Sequence, residues 1–267
     1  MIRLLTFILL CITSQTFSQF ESKTNPIVEE GKMLYRSEMA SWYGTDLFLE
    51  KYADHSKIGG YVSYPDGDVT TCIFYSREED PKVVGTISFD SSFDIAKANI
   101  DIRERTLTET EQAYLDLRNR AKAVIASDTI FKSYEDMNFN IIPVIKGKKK
   151  QVYVLTGPKK NGYVIFGNDY LIDFDSKGTM TRCRRLHRNI IQVEYQTDGE
   201  TMHTHLPETG EFITATDVCT LLLYGKIAKW KNHIVVSDKY LSIWNCDLNS
   251  LFVMTMKDAR KITDEKK

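Results

Sequence analysis

Two histidines one residue apart, His203-Thr204-His205, precede a short loop and the segment Thr214-Ala215-Thr216-Asp217, after which the apolar run Val218 to Tyr224 begins. This order restricts what the chain can fold into. Side chains alternate across a strand, so His203 and His205 leave one face together when their segment is extended. Thr-x-x-Asp before an apolar run is a helix start: the hydroxyl accepts from the third helical amide and the carboxylate reaches back to the cap. A strand end and a helix N-terminus therefore follow one another, and two imidazoles and a carboxylate can converge on one ion. Two histidines and a carboxylate, with one position left over, are how a catalytic zinc is held. His203, His205 and Asp217 are thus candidate metal ligands and zinc the candidate cofactor. The same residues also read as an ordinary helix cap next to two surface histidines.

The first residues read as a targeting segment. Met1-Ile2-Arg3 is a basic start, Leu4 to Ile12 an apolar run too short to span a bilayer, and Ser14 to Ser18 supply small residues for cleavage after Ser18. Leu10 precedes Cys11 where a lipid-anchoring signal needs a small residue. The expectation is a secretory signal over residues 1–18 and an exported protein, periplasmic or secreted. No later run is apolar enough for a transmembrane helix. With 35 Lys+Arg against 36 Asp+Glu there is no electrostatic case for nucleic acid or a membrane surface. The one dense basic cluster, Lys146 to Lys150, reads as a solvated loop before a strand. Cys72, Cys183, Cys219 and Cys246 remain after the leader; they permit disulfides in any of three pairings, and none has the CxxC spacing of a thiolate zinc site. Cys219 reads as a small buried residue.

Residues 20–53 carry approximate helical spacing, interrupted at Gly44. Tyr61-Val62 and Cys72 to Tyr75 flank Pro65-Asp66-Gly67-Asp68, a hairpin signal, and Val83 to Phe89 reads as a third strand. Thr108-x-x-Glu111 is a capping box opening a helix to Ala126. From Gln151 the pattern is β: Gln151 to Leu155 joined to Tyr163 to Phe166 across Pro158 to Gly162, Tyr170 to Phe174 turning at Asp175 to Gly178, and Ile190 to Tyr195 turning at Asp198-Gly199. A helix from 215 to 229 follows, then strands His233 to Ser237, Tyr240 to Trp244 and Leu251 to Met256. The class is α+β. A helix-plus-hairpin region over 19–107 precedes a mixed or antiparallel sheet flanked by helices over 108–256, and a polar tail, 257–267, is expected to fray.

A strand ending His-Thr-His, a loop with Pro207, Thr-x-x-Asp opening a Leu-rich helix, and a return to the strand Ile234 to Ser237 resemble the JAMM zinc isopeptidases, whose signature is HxH followed by SxxD. The resemblance covers roughly residues 108–245. It implies that His203, His205 and Asp217 bind zinc, that the residue at Thr214 helps hold the oxyanion, and that an upstream Glu is the general base. Here Pro207 lies one place later than in that family, the loop is one residue longer, and Thr214 replaces the Ser. Gln151 stands near the position of the Glu, and no Glu occurs between Glu135 and Glu194. Gln can orient a water but cannot take its proton; Asp169, Glu208 and Glu211 are the alternative carboxylates.

Other candidates carry less. His187, in the basic stretch Arg182 to Arg188, fits a solvated or anion-binding strand face, and His55 and His233 fit surface or cap positions. There is no nucleophile elbow and no phosphate-binding loop. Three functions stay open: a zinc-dependent peptidase or isopeptidase, a catalytically silent module of the same shape binding a protein or peptide partner, and a structural protein whose histidines are incidental.

Overall fold

The structure, a computed structural model, describes the backbone of residues 2–195 and 199–264, and side chains from residue 20 onward, residue 263 apart. Contacts divide the chain into two units: Leu34–Glu194, and Met1–Met33 with Tyr195–Lys267. The boundary expected near residue 107 falls inside the first of them. Helix α1 (Ile2–Lys51) contributes to both. Gly44 does not interrupt it. A Cβ there would lie 3.2 Å from that of Cys72, so the glycine lets the helix rest on a strand instead of ending it.

In the larger unit, β1 (Ile58–Asp66), β2 (Val69–Ser76), β3 (Val83–Phe89) and β4 (Asn99–Asp101) form one antiparallel sheet in that order. The Pro65 to Asp68 turn forms as expected, with Gly67 at φ +60°. Helix α2 (Glu109–Ser127) follows. A second antiparallel sheet has the order β5 (Met137–Lys146), β6 (Lys149–Pro158), β8 (Tyr170–Phe174), β9 (Met180–Arg185). Two expectations are corrected here. The basic cluster Lys146 to Lys150 is the tip of the β5–β6 hairpin, turning at Gly147, so a strand precedes it that the sequence pattern had not marked. And β6 does not pair with β7 (Tyr163–Gly167): β5 and β8 take both its edges, leaving β7 to pair with β10 (Ile190–Glu194). Helix α2 presses Leu117 and Ala121 onto Val152, Val154, Tyr170 and Ile172 in one apolar cluster, and Tyr114 onto Val62, Ile73 and Val83 in another.

The smaller unit is a four-stranded sheet, β11 (Glu200–Thr204), β12 (Asn232–Val236), β13 (Tyr240–Asn245) and β14 (Ser250–Thr255) in sequence order. The last three strands run antiparallel, but β11 and β12 are parallel. Parallel neighbours need a crossover, and helix α3 (Ala215–Tyr224) supplies it. It ends at Tyr224, short of the expected 229, with Gly225 at its C-cap. The Asp198 of the expected turn before β11 lies outside the described residues. The described part of the tail expected to fray is helical instead: α4 (Met256–Asp264) starts where the Thr255 hydroxyl accepts from the Asp258 amide at 3.1 Å.

The class is α+β, as the sequence implied. No disulfide joins Cys72, Cys183, Cys219 and Cys246 among the described residues. No helix among them is long and apolar enough to cross a membrane.

Candidate metal centre

The centre is built on the crossover of the smaller unit. Burial alternates along β11: Thr201 and His203 are buried, while Met202 and Thr204 face outward. His205 lies one step past the strand and continues the alternation, because its amide still bonds to Val236 O at 2.8 Å and holds the backbone extended. Helix α3 then begins at Thr214. Its hydroxyl accepts from the Asp217 amide at 3.1 Å, and the Asp217 Oδ2 accepts from the Thr214 amide at 2.9 Å and hydroxyl at 2.7 Å. The capping box predicted for Thr214 and Asp217 is therefore present in full. Gly31 on α1 packs against this helix; a Cβ there would meet the Val218 Cβ at 2.5 Å, so only glycine permits this approach next to Asp217.

The cap and the metal reading are not alternatives. Asp217 caps α3 and also faces both histidines. His203 Nε2 and His205 Nε2 are 3.0 Å apart; Asp217 Oδ1 is 3.6 Å from the first and Oδ2 3.2 Å from the second. An ion held tetrahedrally by bonds of about 2.0–2.1 Å separates its ligand atoms by about 3.3 Å. The observed separations, the last two to different oxygens of Asp217, scatter about that value. The side chains of His203, His205 and Asp217 are only 1%, 0% and 1% exposed. They belong to a group of buried His and Asp side chains whose ligand atoms lie within 4.8 Å of one another. Buried charges are tolerated when paired or coordinated to a metal, and the α3 N-terminus adds a favourable field for the carboxylate.

His233 corrects an expectation. It is fully buried, not a surface or cap residue. The parallel pairing sets it opposite Thr201, on the same face as His203. Its Nε2 is 2.8 Å from His203 Nδ1 and its Nδ1 is 2.8 Å from Thr201 Oγ1, with the Trp230 ring stacked at 5.8 Å. Burial first, and the His203 imidazole second, push its pKa down to about 3 against the opposing Asp217 carboxylate, so it is neutral. A strand, a helix and a second strand in succession imply parallel neighbours, but which face of the second strand carries His233 depends on the register, which no local signal in its own residues gave.

The Thr214 hydroxyl is engaged with Asp217, which makes it a support of the carboxylate. Gln151 lies on β6 in the larger unit, where its amide donates to the Asp173 carboxylate. Asp169 is in that unit too. It accepts at 2.8 Å and 2.9 Å from His187 Nδ1 and at 3.0 Å from the His187 amide. His187 is consequently a buried, carboxylate-held imidazole and not part of a solvated strand face. A carboxylate on one ring nitrogen is how metal-binding imidazoles are commonly oriented. Glu208 is exposed, and Glu211 is exposed and paired with Lys239. No family model matches the chain, and no match is found among curated proteins or solved structures.

Proposed function

We propose that this protein is a metal-binding protein in which His203, His205 and Asp217 hold a zinc ion that ties the end of β11 to the start of α3. The observation that carries the reading is the convergence of two Nε2 atoms and one carboxylate at 3.0–3.6 Å in a buried setting. Imidazole nitrogen and carboxylate oxygen form a donor set suited to zinc, and the lone pairs of two neutral Nε2 atoms 3.0 Å apart repel unless a proton or a cation lies between them. Ligands this deeply buried favour a site that stabilises the fold, because a catalytic zinc must present a position to substrate. The leader-like residues 1–18 support an exported protein, in which such a site would be loaded outside the cytoplasm.

A second reading is a JAMM-like zinc hydrolase acting on an amide or isopeptide bond of a protein or peptide. The HxH and TxxD pattern favours it; the burial of the ligands and the lack of a Glu at the Gln151 position weigh against it. In that reading zinc would acidify a bound water.

Elemental analysis of protein purified without a histidine tag tests the first reading. About one zinc per chain is expected, with loss in His203→Ala and His205→Ala, since the remaining ligands hold zinc poorly. Metal-free wild type that takes up no zinc at micromolar concentration would overturn it. Turnover of an isopeptide reporter by the zinc-loaded wild type, absent in His203→Ala, would establish the second reading.

A further inference from the structure

We propose that His233 is a positioning residue of this centre: with Thr201 behind it, it fixes His203 in the tautomer that presents Nε2 to the metal. The inference rests on the reading of His203 as a ligand. The protons along one row of atoms can be counted. His203 Nε2 faces His205 and Asp217, and His203 Nδ1 faces His233 Nε2 at 2.8 Å. A neutral imidazole carries one N–H. For Nε2 to offer its lone pair to a cation, the proton must sit on Nδ1 and be donated to a partner. His233 Nε2 lies 2.8 Å from that nitrogen and takes the acceptor's role. Its own proton then lies on Nδ1 and is donated to Thr201 Oγ1, 2.8 Å away. Each group has one consistent role, and the row Thr201, His233, His203 sets one tautomer at its far end.

The fold makes this arrangement rigid. Thr201 and His203 share a face of β11, while the parallel register sets His233 of β12 opposite Thr201. Thr201 and His233 are both buried, and Trp230 stacks on the His233 ring. Outer partners of ligating histidines typically change metal affinity 10- to 100-fold when removed.

The test measures zinc affinity by competition with a chromophoric chelator, together with nitrogen-15 shifts of the histidine side chains in the zinc-loaded protein. The variants are His233→Leu, His233→Gln and Thr201→Val. In wild type, His203 should be protonated on Nδ1 with Nε2 shifted by the metal. His233→Leu, which removes the acceptor, should weaken zinc about 10- to 100-fold. His233→Gln, whose side-chain carbonyl can accept from Nδ1–H, should recover most of that loss. Thr201→Val, which leaves the imidazole in place, should weaken zinc about threefold or more and broaden the His203 signals. Equal affinity in wild type and His233→Leu would overturn the inference, as would equal losses in the Leu and Gln variants or a wild-type His203 protonated on Nε2. If the His233 variants do not fold, Thr201→Val with the wild-type tautomer decides alone. Failure of wild type to bind zinc would instead sink the metal reading itself, so the two failures are separate.

Discussion

Two helices of this protein begin with the same device and put it to different uses. In the larger unit α2 opens with Thr108-x-x-Glu111, and in the smaller unit α3 opens with Thr214-x-x-Asp217; both form complete capping boxes, and both carboxylates are 1% exposed. What each carboxylate meets is different. Glu111 receives Arg105 through two bonds, at 2.6 Å and 2.7 Å, with the Tyr64 hydroxyl at 3.0 Å and the Thr108 amide at 2.7 Å. Burial alone would raise its pKa, but these donors outweigh it and bring it down to about 2. Its charge is answered by a permanent cation, and the result is a structural ion pair. Asp217 meets two imidazoles, which at neutral pH need a proton or a metal ion before they can answer its charge. One capping box closes a core; the other faces buried imidazoles close enough to share a metal ion with it.

The largest separation between the two should appear in matched amide variants. Asp217→Asn keeps a cap acceptor but removes the ligand charge, and zinc affinity should fall about 100-fold or more. Glu111→Gln should leave zinc binding unchanged, read by the same chelator competition. A loss of zinc in Glu111→Gln, or its retention in Asp217→Asn, would break the contrast. Zinc at 100 times its dissociation constant should stabilise wild type by about 2.7 kcal/mol, and Asp217→Asn by far less, as measured by denaturant unfolding.

Stability without metal should show the reverse order. Glu111→Gln leaves buried donors without a full acceptor and should cost about 2 kcal/mol. The pH dependence sharpens this point. The folded-state pKa of Glu111 lies below its ordinary 4.5, so its stabilisation is fully present above about 4.5 and is lost as pH falls toward about 2. Unfolding midpoints of wild type should drop across that window, and those of Glu111→Gln should drop less. Equal slopes would show that Arg105 does not hold the carboxylate as described. The smallest effect is expected from Arg105→Lys. It keeps the charge but loses the two-pronged geometry, a cost of about 1 kcal/mol.

Local rules settled a good deal from sequence alone. Both capping boxes, the turns at Gly67 and Gly178, the shared face of His203 and His205, and the α+β class follow from periodicity, cap chemistry and turn residues. These depend on a few consecutive residues, and little in the tertiary structure overrides them. Gly44 shows the limit: read locally it breaks a helix, yet packed against Cys72 it is what the helix needs. Strand partnership beyond the tight hairpins was likewise out of reach, because β6 chooses β5 and β8 over the neighbouring β7 by completing a sheet and not by any signal in its own residues. The metal centre divides along the same line. Its three candidate ligands could be named from spacing, since two lie on one strand face and the third in a cap. That the capping carboxylate also faces both imidazoles, and that His233 stands behind His203, appears only in the folded crossover, with β12 parallel to β11 across α3. Hydrogen bonds between residues thirty positions apart have no period to read, and their geometry exists only once the sheet has formed.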